Sequence, residues 1–182
     1  MALTPSSMAP LGSPMPSFSL PDPAGNLHDS NDLPEQPILI AFICNHCPFV
    51  KHMAPALSEF ARQYGEAGLT IIAINSNDFE NYPEDSPEKM QEEIAARGYI
   101  FPYLVDESQE VARAFGAACT PDFFLFDEHR KLAYRGQFDS SRPGNNEPVN
   151  GRDLRAAVDA VLAGGKPGGE QLPSIGCNIK WK

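Results

Sequence analysis

The stretch Pro37–Ile43, PILIAFI, constrains the fold more than any other. It is an unbroken apolar run rich in β-branched residues, with no polar face. A run of this length, bounded by a proline and a loop, fits a strand covered on both sides, in a sheet with helices packed on each face. The strand ends on Cys44-Asn45-His46-Cys47-Pro48, a C-x-x-C pair. Directly beyond it, Val50, Met53, Leu57, Phe60, Ala61 and Tyr64 recur at helical spacing. Gly65 is the expected C-terminal cap, and Pro55 falls inside the helix as an expected kink. The two cysteines are therefore predicted at a strand-to-helix junction.

The rest of the chain alternates in the same way. LTIIAIN (69–75) is a second apolar strand, and FPYLVD (101–106) a third. Ser86 as N-cap, Pro87 at the first helical position and Glu88 in the first turn start a helix that Gly98 closes. SQEVARAFG is a short helix ending at Gly116. DFFLFD and KLAYRG flank a turn at Glu128–Arg130 as a hairpin. The last helix carries Leu154, Val158 and Leu162 on one face. Near the N-terminus, SFSLPDPAGNLHD reads as a short strand, a turn at Pro23–Gly25 and a return. This order predicts an α/β fold with a central mixed sheet flanked by helices. Residues 1–182 fit one domain with a sizeable core. Residues 1–17, rich in Pro, Ser and Met, are expected to form a flexible arm, and residues 164–182 a tail tethered by GGKPGG.

Charge narrows the partners. With 14 basic and 24 acidic residues the net charge is -10, which argues against nucleic acid and against an anionic membrane surface. No apolar run approaches the ~18 residues of a membrane span. The first residues show neither a basic start nor an apolar core, so the expected location is cytoplasmic. Four cysteines are too few for a disulfide scaffold; in a reducing compartment a close pair points to catalysis or metal binding. The acidic run Phe79–Glu93 reads as a solvated loop and helix face.

The position of Cys47 gives the pair a direction. The first N–H groups of a helix lack internal partners and carry partial positive charge, so a thiolate there is stabilised. Its pKa is expected below the free value of ~8.5, and the thiolate is the nucleophile in disulfide and peroxide chemistry. Cys44, three residues back, is placed to resolve an oxidised Cys47. His46 has two readings: a partner of the Cys47 sulfur, or a loop side chain that tunes access. Cys119 reads as a third redox thiol or a small buried hydrophobe, and Cys177 as a second resolving thiol or a packing residue of the tail.

These residues resemble the thioredoxin superfamily, and within it the alkyl hydroperoxide reductase/thiol-specific antioxidant branch. Phe42 precedes Cys47 by five and Pro55 follows it by eight. KHMAP (51–55) is similar to the thioredoxin KMIAP, and CTPDFFLFD (119–127) to the segment whose cis proline faces the dithiol. The resemblance implies a cis Thr120–Pro121 bond, with Thr120, Pro121 and His46 positioning the site. GSPMPSFSLPDPAGN is similar to the entry strands of peroxiredoxins. AINSNDFENYPEDSPEKM and the ending PSIGCNIKWK resemble a bacterial peroxiredoxin-like group. The departures are specific. Val50 stands where thioredoxins have their second cysteine, Cys44 where peroxiredoxins have a threonine, and Pro121 where they have an arginine. The resemblance therefore implies a Cys44–Cys47 dithiol with Cys47 as nucleophile ahead of an efficient peroxidase. Protein disulfides or peroxides are the implied substrates, an external dithiol the reductant, and no cofactor is called for. Arg135 replaces the missing arginine only if the fold brings it in.

Two other readings compete. HCP resembles the start of the metal site of Sco-type copper chaperones. Lys51 stands at that pattern's second ligand, leaving Cys44, His46 and Cys47 as soft ligands. A non-catalytic redox-sensing interaction module on the same scaffold is the other, since fold alone does not fix function.

Overall fold

The computed structural model describes residues 3–182. In chain order the strands and helices are β1 (Leu3–Pro5), β2 (Ser19–Pro21), β3 (Leu27–Asp29), β4 (Ile38–Phe42), α1 (Pro48–Glu66), β5 (Thr70–Asn75), α2 (Pro87–Arg97), β6 (Tyr103–Val105), α3 (Glu110–Phe115), β7 (Cys119–Thr120), β8 (Asp122–Phe126), β9 (Leu132–Gly136), α4 (Arg152–Leu162) and β10 (Ile175–Asn178).

Five strands make the central sheet in the order β6-β5-β4-β8-β9. β4 runs parallel to β5, and β5 to β6, while β8 is antiparallel to both β4 and β9. The PILIAFI stretch supplies its central strand, buried at every position. Successive side chains of a strand point to opposite faces. Leu39, Ala41, Ile71, Ala73, Phe123 and Leu125 accordingly meet α1, α2 and α4. Ile38, Ile40, Phe42, Ile72, Ile74 and Phe124 meet α3 and the β2 segment. A register shift at Leu125/Phe126 switches the parity of β9, so that Leu132 and Tyr134, two residues apart, enter opposite cores. This is a thioredoxin-like α/β fold.

Three local expectations change. Gly65 lies inside α1; the chain turns instead at Gly68, with φ +100, where Leu69 N–H donates to Tyr64 O (3.0 Å). The segment expected as a loose arm is held down from Leu3 onward. β1 pairs with β10, Ser6 Oγ donates to Asp122 Oδ1 (2.7 Å), and Gly12 N–H to Leu132 O (2.8 Å). Met1 and Ala2 lie outside the described residues. The tail, finally, is not a simple appendage. After Gly169 the chain crosses so close to β9 that a Cβ on Gly136 would stand 2.1 Å from Leu172 O. It then adds β10 between β1 and β7 in a second, three-stranded sheet. Short strands whose partners lie far away in the sequence leave no local signal of their pairing.

Candidate active site

β4 delivers the chain to Cys44, and α1 begins at Pro48 with Cys47 as its N-cap residue. Lys51 N–H donates to Cys47 O (2.9 Å), the first turn of the helix. The Thr120–Pro121 bond is cis, and it presents Thr120 to both cysteines. Cys44 Sγ lies 3.5 Å from Thr120 Oγ1. Cys47 Sγ lies 3.3 Å from the Thr120 carbonyl oxygen, to which it donates as a thiol. A third sulfur joins them: Cys177 Sγ, on β10, is 2.8 Å from Cys47 Sγ. All four cysteines are buried thiols, and Cys47 is 0% exposed.

The surroundings of the sulfurs separate their acidities. The bond from Cys44 is the largest influence on Cys47, pulling it down. Burial pushes it up. Bonds from Cys177, Thr120 and the Val50 N–H pull it down again, to about 5. Cys44 moves the opposite way, because its proton is held against the Cys47 thiolate, burial opposes its charge and Asp85 repels it. Burial, together with the bond to Cys47, pushes Cys177 up to about 12. Of the three sulfurs, Cys47 is thus the one on which a thiolate is most favoured.

The loop between the two cysteines is fixed by residues absent from the sequence-based list. Asp85, fully buried, accepts from Asn45 N–H (2.7 Å) and Asn75 Nδ2 (3.2 Å) on one oxygen, and from Asn77 Nδ2 (2.9 Å) on the other. His46 Nδ1 pairs with that second oxygen at 2.5 Å, and its ring stacks parallel to Tyr82. Tyr103 Oη donates to Asn45 Oδ1 (2.9 Å). Burial drives Asp85 up, but the bonds from His46, Asn77 and Asn45 outweigh it and hold the carboxyl below its usual range. The Asp85 bond raises His46. His46 therefore turns toward Asp85 and anchors the loop. Asp85 belongs to the acidic run read as solvated, and nothing local marks it apart from Glu80, Glu84 or Glu88.

The remaining expected residues fall outside this cluster. Cys119 Sγ faces Pro121 O at 3.6 Å, and burial, then Asp122, push its thiol far up. Arg135 Nε donates to Ala9 O (2.8 Å) and Nη1 to Gln171 Oε1 (2.9 Å), so the fold does not bring it to the dithiol. Lys51 is exposed. Cys44, His46 and Asp85 offer ligand atoms within 4.8 Å of one another, although His46 Nδ1 is already engaged by Asp85.

The Redoxin family model matches residues 10–152. Thiol-disulfide oxidoreductase ResA of Geobacillus thermodenitrificans is 28% identical over 122 residues, 67% of this chain and 66% of the relative. The chain thus spans just under two thirds of that relative's length. The crystal structure of a hypothetical protein from Sinorhizobium meliloti 1021 matches at 53% identity and a TM-score of 0.96, covering 98% of each chain. A putative thiol:disulfide interchange protein DsbE from Chlorobium tepidum has the same fold at 18% identity and a TM-score of 0.68, over 84% of this chain and 98% of its own.

Proposed function

The chain belongs to the Redoxin family, and from that premise we propose that it is a thiol–disulfide oxidoreductase that cycles a Cys44–Cys47 dithiol with Cys47 as the nucleophile. One observation carries the reading: Cys47 stands at the start of α1 with its thiolate stabilised to about 5, while Cys44 beside it holds its proton. The Cys47 thiolate attacks one sulfur of a substrate disulfide. The substrate S–S bond breaks, a mixed disulfide forms, and the leaving thiolate takes a proton from solvent. Cys44 then gives up its proton and attacks Cys47 Sγ, which expels the second substrate thiolate and closes the Cys44–Cys47 disulfide. Two electrons have passed to the substrate, and an external dithiol in a reducing, cytoplasmic setting returns them. The similarity to a thiol-disulfide oxidoreductase supports disulfides as the substrate class.

Peroxides rank below disulfides in this reading, because Cys44 replaces the polarising threonine and Arg135 is bonded elsewhere. An assay with dithiothreitol as electron donor and a small disulfide-bonded protein as acceptor tests the proposal. Cys47→Ser is expected to abolish turnover and Cys44→Ser to lower it several-fold, with hydrogen peroxide turned over more slowly than the disulfide. Full activity in Cys47→Ser defeats the assignment. Soft-metal binding is the second reading, favoured by the Cys44, His46 and Asp85 cluster. Stoichiometric Zn2+ uptake by the reduced chain, lost in Cys44→Ser, is its signature.

A further inference from the structure

With β10 docked, Cys47 has no solvent-exposed surface. What covers it is a strand of the same chain, laid along the residue that precedes the cis proline. β10 is antiparallel to β7, with Cys177 opposite Thr120 and Asn178 opposite Cys119. The approach is so close that a Cβ on Gly176 would stand 2.0 Å from Thr120 O, so only glycine fits. Anchors on both sides fix the register. Ser174 N–H donates to Ser6 Oγ (2.8 Å), Ser174 Oγ to Pro121 O (2.5 Å), and Lys180 N–H to Asn77 Oδ1 (2.9 Å). In that register the strand presents a cysteine to the nucleophile, sulfur to sulfur at 2.8 Å. A strand serving only to seal the site needs no thiol there.

We propose that β10 is a tethered internal substrate, and that Cys177 is a third thiol of the exchange which forms a Cys47–Cys177 disulfide. The step is an isomerisation. Starting from the Cys44–Cys47 disulfide, Cys177 loses its proton and attacks Cys47 Sγ. The Cys44–Cys47 bond breaks, the Cys47–Cys177 bond forms, and Cys44 takes up a proton, with no net oxidation. The inference rests on Cys47 being the exchanging nucleophile, as in the reading above.

Oxidised glutathione acting on the reduced full-length chain tests it, with disulfides mapped by mass spectrometry after non-reducing digestion. Cys47 attacks the glutathione disulfide and releases one glutathione thiolate; a neighbouring thiol then displaces the second. A Cys47–Cys177 linkage is expected in the wild type and as the main product in Cys44→Ser, while Cys177→Ser yields Cys44–Cys47. Gly176→Ala keeps every sulfur but pushes β10 off Thr120, so its Cys47–Cys177 fraction should drop several-fold while Cys44–Cys47 persists. A Cys44→Ser protein that stops at the glutathione adduct of Cys47 overturns the third thiol and leaves the nucleophile standing. Wild-type levels of Cys47–Cys177 in Gly176→Ala overturn the fitted slot. If Cys47 takes up no glutathione in any variant, the nucleophile assignment itself falls.

Discussion

Cys47 differs from the other three cysteines in what surrounds its sulfur, not in exposure, since all four are buried. Two thiols and the N-terminus of α1 donate toward it, and its pKa falls to about 5. The thiolate absorbance of the reduced chain should therefore titrate near pH 5 and vanish in Cys47→Ser. Cys44→Ala removes the strongest of those influences and should move the midpoint upward. The linkage has a definite sign. A depressed native pKa stabilises the folded reduced protein fully above the unfolded cysteine value of ~8.5, and that gain is lost as pH falls through about 5. A titration unchanged in Cys47→Ser would place the thiolate elsewhere. This residue was legible in the sequence because a helix start is a local pattern. Asp85 was not, because its donors come from Asn45, His46, Asn75 and Asn77, and only the fold gathers them.

At the scale of elements, the loop between Cys44 and α1 is held to the 3-10 turn Pro83–Asp85 by the Asp85 carboxylate. Asp85→Asn leaves buried donors facing an amide and should cost about 1–3 kcal/mol of stability in denaturant unfolding. Its pH profile is bounded on both sides. The Asp85 contribution is complete above about 3.9 and is lost as pH falls through the depressed native value. The His46 contribution is complete below about 6.5 and is lost as pH rises through the raised native value. The gap between wild type and Asp85→Asn should thus be widest between those limits; a gap independent of pH would mean that the ion pair contributes nothing. The main elements β4, β5, β8, β9, α1, α2 and α4 were readable from apolar runs, helical spacing and the Ser86 cap. β1, β7 and β10 were not. Each is two to four residues long, and the partners β1 and β10 lie at opposite ends of the chain.

For the whole molecule, the choice of disulfide decides how much of the chain is tied together. Cys44–Cys47 closes a single turn, whereas Cys47–Cys177 joins residues 130 positions apart. In the chain-entropy account the longer loop stabilises by about 3 kcal/mol more than the shorter. Oxidised Cys44→Ser should therefore resist denaturant better than oxidised Cys177→Ser, each compared with its own reduced form; equal gains would indicate that the tail is never latched. The sequence left Cys177 open between a second resolving thiol and a packing residue of the tail, because only the pairing of β10 with β7 carries its sulfur to Cys47. The most direct test of Cys47 as nucleophile is the site of first attack on oxidised glutathione in the Cys44→Ser/Cys177→Ser chain, where both resolving thiols are gone. A single stable adduct on Cys47 is the expected result, and an adduct on Cys119 with Cys47 untouched would contradict it.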